Sequence, residues 1–361
     1  MFIVAHNGSS ILGGGEIGTA LLLRGLQERG HRVLMLARDA GMAERIGAYG
    51  IPTDVQRVGG DAMLPDALRF ARTLRRLRPD ALVLTTFKKL FLAGAGARLA
   101  GVPRVVQRIV LSTDVARGLR YRFALRRFVD VVTLNSEAMR PDFLAADPGL
   151  DPARVLTVHD GVPAPRRRSP PGTVRRALGL PEGAVVVGAV ARLAKQKRFD
   201  RLVRALALLP AHVHCVLAGE GEEREAIESL AAELGVRHRL HLLGFRSDVG
   251  DVLDALDVFV LCSDREGMAN AMLEAKMAGV PVVSTPVSGA HEALEPLADG
   301  RLPGRVVGFG VEEIAAAVGE LVESPALRAV MSAAARERAE ERFGFERMLD
   351  EWERVLRADG P

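Results

Sequence analysis

Two glutamates, Glu266 and Glu274, lie at either end of the segment EGMANAMLE, where charged side chains can do chemistry. The segment follows an apolar run predicted to be a strand, and a helix is predicted to begin near Ala269. Glu274 would then lie early in that helix, with its side chain directed back along the axis towards a ligand. Two such carboxylates can share acid–base work or bind hydroxyl groups. The alternatives are a surface carboxylate paired with a nearby cation for Glu274 and an acidic turn for Glu266.

The start of the same helix adds backbone donors. The first N–H groups of a helix have no acceptor within it, and the helix dipole favours an anion at that end. The amides of Met268, Ala269 and Asn270 are therefore predicted to bind a phosphate group.

A basic loop, ARLAKQK at residues 191–197, follows the predicted strand AVVVGAV. In this loop Arg192 offers a planar fork and Lys197 a point charge, a combination that suits a diphosphate. Its position at the carboxyl end of the first strand of a domain favours this interpretation over a solvated basic loop.

A glycine loop, Gly13 to Gly15, separates the first predicted strand from a helix beginning at Glu16. Glycine lets backbone N–H groups approach an anion closely at a helix N-terminus. The spacing is not the GxGxxG of dinucleotide-binding folds, so a plain tight turn is the alternative.

These loops need strands and helices that bring them together. Short apolar runs alternate with amphipathic stretches, which predicts βαβ units and parallel sheets. The predicted strands are 2–5, 32–37, 81–85, 104–109 and 130–134, then 184–190, 213–218, 239–243, 257–262 and 280–284. The predicted helices include 16–29, 63–78, 199–208, 221–234, 269–278, 312–322, 325–341 and 345–357.

The Pro-rich basic segment 163–173 interrupts this alternation and is predicted to link two domains, a surface loop being the alternative. We expect Rossmann-like domains at 1–165 and 166–340, and a helix within 341–361 that packs back on the first domain. Their doubly wound parallel sheets would face a central cleft, because open α/β sheets bind ligands at the carboxyl ends of their strands.

The composition limits the function classes. The 361 residues suit two domains, and 48% apolar with 26% charged residues is typical of a globular protein. Aromatic residues make up only 4% and no recognition motif occurs, which argues against nucleic-acid binding. Residues 1–165 hold 23 Lys/Arg and 15 Asp/Glu, a net of +8, whereas the rest hold 26 and 30, a net of −4. The first half is therefore expected to meet an anionic partner.

The expected compartment is the cytoplasm. Cys215 and Cys262 each lie in an apolar run and are predicted to be buried thiols, with a disulfide or metal role as the alternative. The N-terminal apolar run is too short for a signal peptide, and no stretch reaches the ~18 apolar residues of a membrane span.

Nearly the whole chain resembles one family, family 4 of the retaining glycosyltransferases, which has the GT-B fold. The stretch EGMANAMLEAKMAGVPVVS resembles its E-x7-E signature, and ARLAKQK resembles its phosphate-binding Arg/Lys loop. LAGEGE and LGFRSDV are similar to its intervening strand–loop segments, and GGGEI with RGHRV to its first glycine loop and helix. The similarity is most specific in the second domain.

The resemblance implies a hexosyltransferase that moves a sugar from a nucleotide-diphosphate sugar to an acceptor hydroxyl, in cell-envelope or surface polysaccharide synthesis. Arg192 and Lys197 would neutralise the donor diphosphate. Glu266 would hold hydroxyls of the transferred sugar, and Glu274 would accept hydrogen bonds from the ribose. The remaining implied binding residues are Gly14, Gly15, Met268, Ala269 and Asn270 at the diphosphate and Phe245 and Arg246 near the base.

Two positions depart from the family pattern. The family often carries a histidine after the strand that corresponds to RVVQRI, and Arg108 is the nearest polar substitute here, so it is predicted to be catalytic. The glycine that usually follows the phosphate lysine is Arg198 in this chain.

The expected chemistry is stabilisation of a leaving diphosphate by fixed donors and cations. No Asp-x-Asp triplet occurs, and other transferases use such a pair to hold a divalent ion, so neither a metal nor a cofactor is expected. Retaining hydrolases use a carboxylate nucleophile. The first domain offers no obvious one, which favours front-face attack with the leaving phosphate as base.

The acceptor is expected to meet the first domain. Residues 117–128, RGLRYRFALRRF, are basic and amphipathic, and Lys88 and Lys89 open another helix. Such patches suit a lipid-linked acceptor at an anionic membrane, or a phosphorylated glycan, with a solvated basic face as the alternative.

Three other functions are alternatives. A nucleotide-sugar epimerase or a phosphorylase would use the same architecture, but the Arg/Lys loop and the E-x7-E pattern argue against both. A non-catalytic nucleotide-sugar binding protein is disfavoured because the predicted residue set is complete.

Overall fold

The computed structural model describes residues 1–10, 12–58, 64–111 and 118–357. Met63, Arg117 and residues 358–361, which belong to segments predicted above, lie outside these ranges. The chain divides into two compact units, Met1–Asp160 with Glu346–Pro361, and Gly161–Phe345.

The first unit contains a parallel sheet of seven strands in the order β3-β2-β1-β4-β5-β6-β7. Strands β1, β5 and β6 are buried along their whole length, which is typical of a parallel sheet covered on both faces. The strands are β1 Phe2–Asn7, β2 Arg32–Ala37, β3 Thr53–Val55, β4 Ala81–Leu84, β5 Arg104–Ile109, β6 Val131–Leu134 and β7 Val155–Thr157. The helices between them are α1 Gly14–Glu28, α2 Ala40–Gly47, α3 Leu64–Leu77, α4 Leu90–Ala100, α5 Leu119–Phe128 and α6 Arg140–Ala146.

The second unit contains a parallel sheet of six strands in the order β10-β9-β8-β11-β12-β13. The strands are β8 Val185–Val190, β9 Val213–Ala218, β10 Leu240–Leu242, β11 Val258–Leu261, β12 Val282–Ser284 and β13 Gly304–Val306. The helices are α7 Thr173–Ala177, α8 Phe199–Leu208, α9 Arg224–Glu233, α10 Val249–Asp254, α11 Asn270–Met277, α12 Ala290–Ala293, α13 Val311–Glu323 and α14 Pro325–Phe343. Both sheets are doubly wound, as predicted.

Three strands were not predicted: β3, β7 and β13. Each has three residues and lies at an edge of its sheet. Only one neighbour pairs with an edge strand, so a short or polar segment can complete the sheet without an apolar run that would reveal it.

The Pro-rich segment 163–173 is bonded to the second unit. The Asp251 carboxylate accepts hydrogen bonds from the backbone N–H groups of Arg168 and Ser169, at 2.7 and 3.3 Å. Asp254 accepts one from the Gly172 N–H at 2.9 Å. The division of the chain therefore falls at Asp160, before this segment, rather than within it.

The last helix, α15 (Phe345–Leu356), belongs to the first unit from Glu346 onward. Arg29 at the end of α1 forms ion pairs with Glu346 at 2.6 Å and Asp350 at 2.7 Å. The Arg104 Nε donates to the carbonyl of Val355 at 2.9 Å, and Trp352 is fully buried.

The structure tests the prediction made for the two cysteines. Cys215 and Cys262 are free and buried, which confirms the predicted thiols, and burial raises the pKa of Cys262 to about 12. Among the helices in the described ranges, none combines the length and the apolar character needed to cross a membrane.

Candidate active site

The predicted ligand residues of the second unit lie in loops at the carboxyl ends of its strands. β8 and β11 are neighbours, so the loops that follow them leave the sheet side by side. The first loop carries Arg192 and Lys197, and the second carries Glu266. The direction in which successive strands are added to the sheet reverses between β8 and β11. Open α/β sheets bind ligands at such a point.

Lys197 and Glu266 are in direct contact. The Lys197 Nζ lies 2.5 Å from the Glu266 Oε1, and the Ser263 hydroxyl donates to the same oxygen at 2.8 Å. Glu266 is 8% exposed, so both groups meet in a sheltered position. The lysine and the carboxylate are therefore held side by side, one suited to an anion and the other to hydroxyl groups.

Glu274 lies on α11, whose first turn follows the Glu266 loop. The residue is half-buried, and in the part of the chain that the structure describes its carboxyl has no hydrogen bond or ion pair. Burial raises the pKa of Glu274 to about 7. A carboxylate desolvated in this way favours any ligand that donates hydrogen bonds to it.

The start of α11 is formed as predicted, one residue later than Ala269, which is its N-cap. Met268 and Ala269 are almost fully buried, at 5% and 6% exposure. The Gly289 N–H donates to the Gly267 carbonyl at 2.7 Å and so fixes the loop that precedes the helix.

Arg192 and the predicted base-binding residues lie on more open loops of the same unit. Arg192 is exposed and 3.5 Å from Glu222, and Phe245 is 70% exposed. The Arg246 fork is bonded to Asp248, at 2.7 Å from Nε. These side chains are not bonded to Lys197 or Glu266, and their ligand contacts stay predictions.

A glycine brings the neighbouring loops together. Gly221 has φ +157°, and a Cβ there would overlap the carbonyl of Leu193. The Leu193 N–H donates to the Glu220 carbonyl at 2.8 Å, so the loop after β9 packs directly on the basic loop after β8. Glycine is the residue that permits this approach.

Arg108, in the first unit, is buried rather than open to a ligand, with 4% exposure. Its Nη2 lies 2.6 Å from the Asp160 carboxylate, and its Nη1 donates to the Gly15 carbonyl at 3.1 Å and to the Thr19 hydroxyl at 2.9 Å. The guanidinium thus anchors the first turn of α1. Gly14 is the first residue of this helix. Catalytic contact by Arg108 and diphosphate contacts by Gly14 and Gly15 stay predictions.

Sequence reasoning missed Ser263, Asp264 and Lys276. Ser263 and Asp264 directly follow a predicted strand, and this position could have indicated that they lie at the site. Lys276 is fully buried two residues after Glu274, its Nζ donates to the Ala293 carbonyl, and burial lowers its pKa to about 7. Across the described ranges, no three His, Cys, Asp or Glu side chains are grouped to hold a metal ion.

Two family models match the chain, "Glycosyl transferase 4-like domain" over residues 13–161 and "Glycosyl transferases group 1" over residues 172–338. A 2-deoxystreptamine glucosyltransferase of Streptomyces kanamyceticus is 30% identical over 327 residues, which cover 82% of this chain and 83% of that protein. The lipopolysaccharide core biosynthesis glycosyltransferase LpsE of Rhizobium meliloti is 34% identical over 183 residues, 50% of this chain. The match spans about half the length of LpsE, 52%, and of the related LpsD, 53%.

Solved structures with the same fold include HepE of Anabaena in complex with UDP and glucose. Its TM-score is 0.85 at 22% identity, with 99% of both chains covered. WaaG, a glycosyltransferase involved in lipopolysaccharide biosynthesis, has a TM-score of 0.74 at 18% identity, with 99% of both chains covered.

Proposed function

The chain belongs to the family 4 glycosyltransferases and has the GT-B fold, and from this premise we propose that it transfers a hexose from a nucleoside diphosphate to a hydroxyl of a glycan or lipid-linked acceptor. The anomeric configuration is retained, and no metal ion or cofactor takes part. The observation that carries the proposal is the 2.5 Å contact between Lys197 and Glu266, in loops that precede the helix carrying Glu274, whose carboxyl has no bonded partner among the described residues.

The donor diphosphate is assigned to the positive side of this site. Lys197, Arg192 and the first amides of α11 are placed around the strand ends, and such fixed donors stabilise the charge that develops on a leaving diphosphate. Phosphate oxygens compete with Glu266 for the lysine. The carboxylate that this exchange releases is then available for hydroxyls of the transferred sugar.

Glu274 is assigned to the nucleotide ribose. Its carboxyl is half-buried and has no protein donor within the described residues, and ribose hydroxyls supply two donors. The protein thus leaves one desolvated acceptor for the nucleotide and keeps the other, Glu266, bonded to Lys197 until the donor arrives.

Retention follows from attack on the face that the diphosphate leaves. The bond between the anomeric carbon and the phosphate oxygen breaks, the acceptor oxygen bonds to the same face, and its proton passes to a phosphate oxygen. The residues of the site hold the diphosphate near the reacting carbon, where it can accept that proton.

A donor screen tests this function. UDP, GDP, ADP and dTDP are each added to the protein, and the midpoint of thermal unfolding is measured with and without EDTA. We expect one nucleotide to raise the midpoint by several degrees regardless of EDTA, because a ligand of the folded state stabilises it by mass action. NMR of the product formed from the matching sugar donor should show the donor's anomer. No stabilisation by any nucleotide, a requirement for a divalent ion, or an inverted product would contradict the respective part of the proposal.

The acceptor side is assigned to the exposed face of α5. This helix would contact a lipid-linked substrate of polysaccharide synthesis at the inner face of the cell membrane. Leu119 is 82% exposed and Phe123 is 53% exposed on this helix. The same helix carries three arginines, of which Arg122 lies between these two residues and Arg126 and Arg127 follow them. Exposed apolar side chains beside several arginines are typical of a helix that lies on an anionic membrane surface.

Charge reversal at α5 is expected to weaken vesicle binding. Arg122→Glu with Arg127→Glu should weaken co-sedimentation with phosphatidylglycerol-containing vesicles at low salt by at least about tenfold. The matched control is Arg72→Glu with Arg76→Glu, which reverses the same charge at exposed positions of α3. An equal loss in both variants would show that vesicle binding depends on net charge alone and not on α5. Absence of binding by the unmodified protein would remove the membrane from the proposal.

A further inference from the structure

Arg198 has a backbone conformation that favours glycine. Its φ of +52° and ψ of +44° place it in the left-handed region, between the short 3-10 helix Lys195–Lys197 and α8. It is one of two non-glycine residues with positive φ in the described ranges, the other being Arg78. The Cβ of an L residue makes this conformation costly, so it persists where the surroundings enforce it.

The Arg198 side chain connects two elements. Its Nε and Nη2 donate to the two oxygens of Asp200, in the first turn of α8, at 2.9 and 3.0 Å. Its Nη1 donates to the Asp264 carboxylate at 3.2 Å. The planar guanidinium is thereby held on α8 while it reaches the loop that follows β11.

The same two loops meet through their backbones. The Asp264 N–H donates to the Gln196 carbonyl at 3.0 Å, and the Gln196 side-chain amide donates to the Arg265 carbonyl at 2.9 Å. Arg201 adds a second ion pair to Asp264 at 2.8 Å. The contact between Lys197 and Glu266 involves the residues that directly follow these bonded residues in each of the two loops.

We propose that Arg198 is a positioning residue of the donor site, whose bridge from Asp200 to Asp264 holds the Glu266 loop against the Lys197 loop. Glycine would adopt the same backbone without strain but would lack this bridge. The side chain therefore compensates for the strained backbone by setting the distance between two ligand-binding loops. This inference rests on the function proposed above.

Arg198→Gly tests it, with the probe nucleotide chosen as the one among UDP, GDP, ADP and dTDP that most stabilises the unmodified protein. We expect the unfolding midpoint to stay close to that of the unmodified protein, because glycine relieves the backbone, while calorimetric Kd for the probe rises about tenfold. Arg198→Lys keeps a cation without the fork and should give an intermediate Kd.

Asp264→Asn should weaken binding as well, and the loss in the double variant with Arg198→Gly should be smaller than the sum of the two single losses. Both changes remove the contact between Arg198 and Asp264, and Asp264→Asn removes in addition the ion pair with Arg201. Arg301→Gly is the matched control, since Arg301 also bonds one aspartate two residues away, Asp299, and one distant carboxylate, Glu337. It should leave Kd unchanged.

The outcomes separate this inference from the function on which it rests. A lower midpoint for Arg198→Gly with Kd equal to that of Arg301→Gly would mean a purely structural arginine and would overturn the proposal. Additive losses for Arg198→Gly and Asp264→Asn would also overturn it. If Glu274→Gln binds the probe as tightly as the unmodified protein does, the assignment of the donor site itself is wrong. Weak binding by Glu274→Gln together with normal binding by Arg198→Gly would overturn only the positioning role of Arg198 and leave the assignment of the donor site in place.

Discussion

Lys197→Met is expected to lower kcat/KM for sugar transfer by about a thousandfold, the loss typical of removing one group that stabilises developing negative charge. The Lys197 Nζ lies 2.5 Å from Glu266, so the lysine is already fixed where the diphosphate is proposed to bind. Methionine keeps the length and apolar stem of the side chain and removes its charge. The measurement is steady-state turnover with the donor identified by the nucleotide screen.

Lys195→Met is the matched control, since Lys195 is an exposed lysine of the same short turn. It should retain nearly full turnover. The variant Lys197→Met also leaves Glu266 buried without its cation, which is destabilising. Adding Glu266→Gln should therefore restore thermal stability but not turnover. Turnover by Lys197→Met within tenfold of the unmodified protein would refute the leaving-group role.

Glu274→Gln is expected to weaken nucleotide binding by about tenfold to a hundredfold, because hydrogen bonds to a charged acceptor are the stronger kind. The same change should make the free protein more stable at alkaline pH. Burial raises the pKa of Glu274 from 4.5 to about 7, so the folded state holds this proton more tightly than the unfolded chain. Its contribution to stability is present below pH 4.5 and is lost as pH rises through about 7.

Urea unfolding at pH 5 and pH 8 measures this effect. The stability gained by Glu274→Gln should be larger at pH 8 than at pH 5, by at most about 3 kcal/mol. Glu233→Gln, at an exposed position near the end of α9, is the control and should show no such difference. Equal gains at both pH values, or unchanged nucleotide affinity, would show that Glu274 is an ordinary helical carboxylate.

The fold was predictable because its signals are local. Buried parallel strands such as AVVVGAV are continuous apolar runs, and the helices between them are amphipathic. The start of α11 and the loop positions of Arg192 and Lys197 follow from the same pattern. Short edge strands such as β13 carry no comparable run and were not predicted.

The contacts within the site were less predictable because they join distant parts of the sequence. Lys197 and Glu266 were assigned separate tasks, and their ion pair depends on the adjacency of β8 and β11, which are not consecutive strands. Arg198 was recognised only as a departure from glycine. Its left-handed backbone and its bridge to Asp264 become visible once α8 and the second loop are placed.

The ion pair of Lys197 with Glu266 also bears on how the enzyme turns over. In the proposed reaction the nucleoside diphosphate has to leave, after transfer, the cationic site assigned to it, and tight retention of this product would slow each cycle. Glu266 lies beside the lysine and can replace the departing phosphate oxygens as its counter-ion. In the proposed reaction the protein would therefore carry its own competitor for the product, and release would exchange one anion for another rather than expose an unpaired cation.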